Sequence, residues 1–161
     1  MKLVKITFFF LFLLLGCSKT ETLSLPALFA DNMVLQRNAT VQFWGAAEPN
    51  TEVSISTPWG IHKGKADVSR KWQIGFSTPN ENPSFSIDVC ANSECVEINN
   101  VVLGEVWLAS GQSNMEMPLK GWPPEEPILN SKEEITKAGD FEIRIFSVER
   151  NLSNLPLNDV H

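Results

Sequence analysis

The chain has 161 residues, with 13 basic and 19 acidic side chains and a formal net charge of −6. This length is enough for one full domain and is short for two. Binding to nucleic acid requires clustered lysine and arginine, and the sequence has no such cluster. The composition therefore argues against nucleic acid as a partner.

The first sixteen residues have the pattern of an export signal. Lys2 and Lys5 precede a strongly apolar run over residues 6–15. A bilayer span needs about 20 apolar residues, so this run of about half that length predicts a signal rather than a membrane-spanning helix. It ends at Gly16-Cys17, which resembles the bacterial lipobox, where the cysteine is lipidated and becomes the new N-terminus. An ordinary signal peptide, cleaved nearby at a small residue, is the alternative.

We therefore expect residues 1–17 to be a lipoprotein-type signal and residues 18–24 a tether. Loss of the signal removes two lysines and no acids, which takes the net charge from −6 to about −8. The mature protein is then exported to the periplasm or the cell surface. Its only contact with the membrane is the lipid on Cys17.

The other two cysteines lie close together in a stretch that predicts a β-hairpin. Pairing Cys90 with Cys95 sets Val89 opposite Val96 and gathers the apolar side chains on one face. This geometry permits a disulfide, and an exported protein meets an oxidising compartment. Two free thiols, or a metal site that lacks its remaining ligands, are the alternatives. A disulfide here is expected to be structural and to close a very small loop.

Residues 25–100 alternate between apolar and polar side chains, which is typical of half-buried strands. The alternation is clearest at residues 53–55, 72–76 and 85–89. Proline, glycine and asparagine mark the turns at residues 48–50, 57–60 and 79–83. Several short strands without a helical stretch predict an antiparallel β-sandwich for residues 25–100.

The pattern changes at Val101. Residues 101–109 are almost continuously apolar, as in a strand buried on both faces, and a tight turn follows at residues 110–115. After a loop rich in proline and tryptophan, a capping box that starts at Ser131 and a C-cap at Gly139 predict a short helix.

Residues 143–148 then predict a second strand. Together these elements predict the first βαβ of a parallel α/β domain over residues 101–161. Two strands and one helix cannot cover a parallel sheet on both faces. We therefore expect this domain to be incomplete and the chain to be a fragment of a longer protein.

Ser113 is the candidate nucleophile. A serine in a tight turn at the carboxyl end of a buried parallel strand projects its hydroxyl from the sheet edge, where ligands bind in open α/β folds. Gly111 allows a sharp turn, and the amide of Ser113 would point at a developing oxyanion. Glycine and serine are also common in ordinary turns, so this spacing alone leaves a simple turn as the alternative.

A longer resemblance surrounds this turn. Residues 104–116 resemble the block around the nucleophile in sialate O-acetylesterases, and Gly-Gln-Ser-Asn-Met at 111–115 is their variant of the Gly-Asp-Ser block of SGNH (GDSL-like) hydrolases. Residues 28–37 resemble the opening of the β-domain that precedes the hydrolase domain in this family. The same β-domain is also resembled by Val41 to Gly45, Glu48-Pro49 and Lys71-Trp72. The matches occur in the expected order and together span most of residues 25–150.

The resemblance implies a two-step acyl transfer that needs no metal or organic cofactor. Ser113 would attack the acetyl carbonyl of an O-acetylated carbohydrate, backbone and asparagine donors would hold the oxyanion, and water would release acetate from an acetyl-enzyme. Gly111, Gln112 and Asn114 would complete the nucleophile turn. Met117 departs from the family pattern, in which tryptophan is expected before the following proline.

The resemblance also implies groups that this sequence lacks. In SGNH hydrolases later blocks supply a glycine and an asparagine for the oxyanion hole and an Asp-x-x-His block for the base, and none of these occurs here. The two histidines are His62, within the predicted sandwich, and the terminal His161. We expect neither to be the base and therefore expect the chain to be inactive alone.

The five tryptophans divide into two groups. Trp44, Trp72 and Trp107 lie in apolar strand patterns and are expected in the core. Trp59 and Trp122 lie in loops, and Trp122 follows the nucleophile block closely enough to line a pocket for an acetylated sugar. The substrate could be a sialic acid, acetylated xylan or peptidoglycan. A lipid-anchored β-sandwich for carbohydrate binding or protein interaction is the alternative from another class.

Overall fold

The computed structural model describes residues 23–81, 83–122, 128–140, 142–157 and 159–160. The predicted signal with Cys17, most of the predicted tether and His161 lie outside the described residues. Part of the loop rich in proline and tryptophan, at residues 123–127, also lies outside them.

Seven strands account for most of the described residues before position 105. They are β1 (Val34–Gln36), β2 (Thr40–Ala46), β3 (Glu52–Thr57), β4 (Gly60–Lys65), β5 (Lys71–Ser77), β6 (Phe85–Ala91) and β7 (Glu94–Gly104). β1, β7, β6, β3 and β4 form a five-stranded sheet in that order, and β2 pairs with β5 in a separate antiparallel sheet.

The larger sheet is mixed rather than purely antiparallel. β1 and β7 run parallel, with Val34 opposite Val102 and Gln36 opposite Gly104, whereas the other pairs are antiparallel. Parallel neighbours need a long crossover, and here the intervening strands form it. The prediction of an all-antiparallel sandwich is therefore wrong at the edge formed by β1 and β7.

The two sheets bury a single hydrophobic core between them. β5 shows the expected period of two, because Trp72, Ile74 and Phe76 are buried while Gln73 and Gly75 face outwards. Phe43 of β2 is fully buried and stacks on the ring of Phe29. The buried residues from the larger sheet are Leu35, Val53, Ile55, Ile87, Val89, Ala91, Ile98 and Val101. This alternation confirms the strand prediction for this part of the chain.

A bulge in β7 explains why the apolar pattern changes near residue 100. Phe85 lies opposite Val101 and Ile87 opposite Ile98, so three residue steps in β7 match two in β6. Asn100 takes a left-handed conformation with φ 54°. Ile98 and Val101 can therefore both face the core although they are three positions apart. The predicted domain boundary at residues 100/101 falls within β7.

The predicted βαβ unit is not found in the described residues. Beyond Gly104 they contain two short α-helices, α1 (Ser113–Glu116) and α2 (Ser131–Lys137), with a 3₁₀ turn at Ala138–Asp140, and no strand. Residues 143–148 are not a strand, and Trp107 and Leu108 are 87% and 94% exposed. A strand buried on both faces needs neighbours at its edges and helices over its faces, and the described residues supply neither around this segment.

Helix α2 lies where the sequence predicts it, but its ends differ. Ser131 belongs to the helix and is buried, and Asn130 precedes it with φ 61° and no side-chain cap hydrogen bond. Gly139 lies in the 3₁₀ turn instead of serving as the C-cap. The predicted capping box is therefore wrong. No helix among the described residues is long and apolar enough to cross a membrane.

Candidate functional site

Ser113 is exposed and is the first residue of α1, which makes a single turn. The Met115 amide donates to the Gln112 carbonyl at 2.9 Å, and the Met117 amide donates to the Ser113 carbonyl at 3.1 Å. These two bonds close the tight turn that the sequence predicts. The Ser113 hydroxyl therefore lies at the surface, where a substrate ester could reach it.

Gly111 is required for close packing within this turn. A Cβ built on Gly111 would lie 2.5 Å from Cγ of Met115, which real contacts do not allow. Glycine therefore lets the chain fold back over the Met115 side chain. Gln112 and Asn114 are both exposed on either side of Ser113.

His62 is held within the β-sandwich. Its ring stacks on Phe76 with centroids 4.4 Å apart, and its Nε2 lies 3.4 Å from the Thr57 hydroxyl. Partial burial lowers the pKa of His62 from its ordinary value. These contacts show that His62 is a packing residue of β4. It does not form a hydrogen bond with Ser113, because within the described part of the chain the Ser113 side chain has no hydrogen-bond partner.

Two further contacts involve residues at or just after the nucleophile turn. Arg150 forms an ion pair with Glu116 at the end of α1. The Gly121 amide donates to the Pro118 carbonyl at 2.8 Å, which closes a turn just before Trp122. Trp122 is 43% exposed, so its indole is accessible from solvent.

The other tryptophans correct part of the sequence interpretation. Trp72 is buried, as predicted, but Trp107 is exposed, and Trp44 is 39% exposed beside a shallow cavity of about 170 Å³. Trp59 lies in the turn between β3 and β4, as predicted, and its ring packs on the core, 5.1 Å from that of Phe85. Trp44 faces outwards because it follows the inward Phe43 on β2.

Cys90 and Cys95 form a disulfide, with Cα atoms 4.1 Å apart. The pair sits in the register expected from the sequence, with Val89 opposite Val96. The cysteines are therefore not metal ligands. No group of three or more His, Cys, Asp or Glu residues suited to a metal ion occurs in the ranges that the structure describes.

Sequence reasoning missed a polar cluster that joins β1 to the segment leading to Ser113. Glu105 accepts hydrogen bonds from Arg37 Nε at 2.8 Å and from Gln36 Nε2 at 2.9 Å. The hydrogen bond from Gln36, followed by the hydrogen bond and the charge of Arg37, holds the pKa of Glu105 below its usual value. The residues lie 68 and 69 positions apart, so sequence spacing gave no signal beyond their presence in the two blocks at 28–37 and 104–116.

A second contact missed by sequence reasoning anchors the C-terminal segment. The Arg144 guanidinium donates to the carbonyl oxygens of Asn32 at 3.0 Å, Met33 at 3.4 Å and Asn100 at 2.5 Å. It also reaches Asn100 Oδ1 at 3.3 Å. Arg144 therefore ties residues 142–157 to the loop before β1 and to the bulge in β7.

Comparisons with known proteins point to one group of enzymes. No protein-family model matches the chain. Over 147 residues it is 28% identical to mouse sialate O-acetylesterase, a match that covers 83% of this chain and 26% of the mouse protein. It is 26% identical over 148 residues to the human sialate O-acetylesterase, with coverages of 81% and 26%. The chain thus spans about a quarter of the length of these relatives.

A solved structure is similar as well. The crystal structure of a carbohydrate acetylesterase from Xanthomonas citri superposes with a TM-score of 0.57 at 33% sequence identity. The match covers 61% of this chain and 22% of that one.

Proposed function

The chain belongs to the sialate O-acetylesterase family, and from that premise we propose that the protein containing it removes O-acetyl groups from carbohydrates, with Ser113 as the nucleophile. The observation that carries the proposal is the exposed tight turn at Ser113, within the stretch that resembles the family's nucleophile block. A closed turn presents the hydroxyl to solvent without the need for local rearrangement.

The reaction is a two-step acyl transfer. Ser113 Oγ attacks the acetyl carbonyl, a base takes its proton, and the sugar hydroxyl leaves to give an acetyl-enzyme, which water then hydrolyses to acetate. The base and the remaining oxyanion donors come from parts of the longer protein that this chain does not contain. We therefore propose that the 161-residue chain alone has no turnover.

The test is acetate release by the longer protein. Ser113→Ala should lower kcat by at least about a thousand-fold, because removal of a serine nucleophile removes most of the rate. Ser69→Ala is the control and should keep its kcat, since Ser69 is an exposed serine in the turn before β5, outside the nucleophile block. Retention of turnover by Ser113→Ala would contradict the assignment.

The substrate class is tested in the same assay. O-acetylated sialic acid, acetylated xylan and acetylated peptidoglycan are offered in parallel, and the first should give the highest kcat/KM. The names of the mammalian relatives support this order. A preference for xylan or peptidoglycan would keep Ser113 as the nucleophile and change only the substrate.

We also propose that residues 1–17 direct export and that Cys17 is lipidated. The apolar run that ends at Gly16-Cys17 supports this proposal. Cells fed a labelled fatty acid should incorporate the label into the wild-type protein and not into Cys17→Ala. Unlabelled wild-type protein in the exported fraction would favour an ordinary signal peptide.

A further inference from the structure

We propose that Gln36 and Arg37 are positioning residues for the esterase reaction, because they hold Glu105 and so fix the direction in which the chain leaves β7 towards Ser113. This inference rests on the proposed function. Residues at the end of β1, in the sandwich, would thus help to position the nucleophile turn.

The backbone contacts show where the connection begins. The parallel pairing of β1 with β7 ends at Gln36 and Gly104. One residue later the Arg37 amide donates to the Gly104 carbonyl at 3.0 Å. The Val106 amide then donates to the side-chain oxygen of Gln36 at 2.8 Å. The Gln36 side chain thus extends the ladder two residues past the last paired position of β7.

The side chains of Gln36 and Arg37 each donate a hydrogen bond to the carboxylate of Glu105. Arg37 Nε donates to one oxygen and Gln36 Nε2 to the other. Gln36 therefore uses its oxygen on the Val106 amide and its nitrogen on Glu105, which fixes its amide orientation. Gly104 is therefore held through its carbonyl, Glu105 through its carboxylate and Val106 through its amide.

Among the residues that the structure describes, this connection is the last one before the nucleophile turn. Between Val106 and the turn that begins at Gln112, the described residues form no strand and are exposed. A change of direction at Glu105 therefore changes the path on which the chain approaches Ser113, eight positions later. A displacement of about 1 Å at a reacting group can cost about a hundred-fold in rate.

The expected effect falls on rate more than on stability. The Arg37 and Glu105 side chains are 43% and 52% exposed, and exposed ion pairs contribute little to the free energy of unfolding. Burial of the core holds the sandwich together without them. A variant that loses the pair should thus remain folded while its nucleophile turn loses orientation.

The chain offers a matched control on the opposite edge of the same sheet. Lys63 of β4 donates to Glu52 of β3 at 2.8 Å, the same length as the bond from Arg37 to Glu105. Both side chains are more than half exposed. β4 is the edge strand farthest from β1 in the strand order, so this pair is remote from the connection at Glu105.

The experiment compares Arg37→Leu, Arg37→Lys and Lys63→Leu in the longer protein on O-acetylated sialic acid. Arg37→Leu should lower kcat by roughly ten- to a hundred-fold and leave KM within about two-fold. Its thermal midpoint should shift by less than about 3 °C. Arg37→Lys should retain kcat within about three-fold, because a lysine can still reach Glu105, and Lys63→Leu should match the wild type.

Two further measurements separate positioning from a general structural role. Amide hydrogen exchange over residues 105–112 should rise in Arg37→Leu and stay unchanged in Lys63→Leu. The exchanged pair Arg37→Glu with Glu105→Arg should recover part of the kcat that each single change loses.

The proposal is overturned if Arg37→Leu keeps its kcat, if Lys63→Leu loses as much, or if the loss follows the thermal midpoint. Ser113→Ala is measured alongside. Turnover that survives in Ser113→Ala contradicts the proposed function and this inference with it. If Ser113→Ala is inactive while Arg37→Leu is fully active, only the positioning role fails.

Discussion

Gly64 on β4 lies against Ile74 on β5, so close that a Cβ built on Gly64 would meet Cγ1 of Ile74 at 2.6 Å. Ile74 is buried in the core, and its Cγ1 cannot move away without disturbing its neighbours. The absence of a side chain at Gly64 therefore lets β4, the edge strand of the larger sheet, cover β5 of the smaller one.

Gly64→Ala should destabilise the sandwich by about 1–3 kcal/mol, because the added methyl group overpacks the core at this contact. The measurement is the free energy of unfolding in urea. Gly139→Ala is the control, since a Cβ on Gly139 meets nothing within 4 Å. Equal stability of Gly64→Ala and the wild type would mean that β4 shifts away from Ile74 at no cost.

The same strand shows where sequence patterns stop predicting this fold. Sequence alternation identified β3, β5 and β6, because their apolar residues face the core. β4 has the reverse arrangement, since Ile61 is exposed while His62 and Gly64 face β5. Its inward positions are filled from β5 by Phe76 and Ile74. The sequence of β4 alone cannot reveal that side chains from β5, in the other sheet, fill the space beside its inward residues.

The stacking of His62 on Phe76 predicts a pH dependence of stability. Burial lowers the pKa of His62 below the ordinary value of 6.5, so the unfolded chain binds a proton more readily than the folded one. Stability from this source is complete above pH 6.5 and is lost as pH falls through the lower, folded pKa.

Urea unfolding should therefore show a lower midpoint at about pH 5.5 than at about pH 7.5, and His62→Gln should flatten this difference. Glu105 cannot account for it, because its pKa is lowered from 4.5 and its effect lies at more acid pH. An unchanged pH dependence in His62→Gln would show that another group is responsible.

The disulfide between Cys90 and Cys95 is predicted to stabilise the hairpin of β6 and β7 modestly. The two cysteines are five positions apart, and a loop of this size corresponds to about 2 kcal/mol of unfolded-state entropy. Replacement of both by serine should lower the free energy of unfolding by about that amount or less. The buried Ile87, Val89 and Ile98 hold the two strands together without it.

Reductant is the internal control for this prediction. Dithiothreitol should lower the urea midpoint of the wild type to that of Cys90→Ser with Cys95→Ser and leave the double variant unchanged. A much larger loss would mean that the hairpin does not form without its covalent link.

The candidate site was less predictable than the strands, for a physical reason. The turn at Ser113 depends on local hydrogen bonds between neighbouring residues, and local sequence predicts such turns. The contacts of Glu105 and Arg144 join residues 44 or more positions apart on the surface. Exposed polar residues carry no periodic pattern, so only the fold reveals which of them meet.

Arg144→Ala should loosen the segment at residues 142–157 while the sandwich stays folded. The guanidinium donates to three backbone carbonyls, and no other described side chain of this segment bonds to the loop before β1. Because the contact is largely exposed, its loss should cost about 1 kcal/mol or less in global stability. Hydrogen exchange over residues 142–157 should be about three- to ten-fold faster.

Lys137→Ala is the matched control, since Lys137 pairs with Glu133 and Glu134 inside helix α2. Its loss should leave exchange over residues 142–157 unchanged. The carbonyl of Asn100 lies at the bulge that brings Ile98 and Val101 to the core, so Arg144→Ala should also speed exchange at residues 99–101. Faster exchange across the whole sandwich would instead show that Arg144 supports the core, and unchanged exchange in both regions would show that the contact is not maintained in solution.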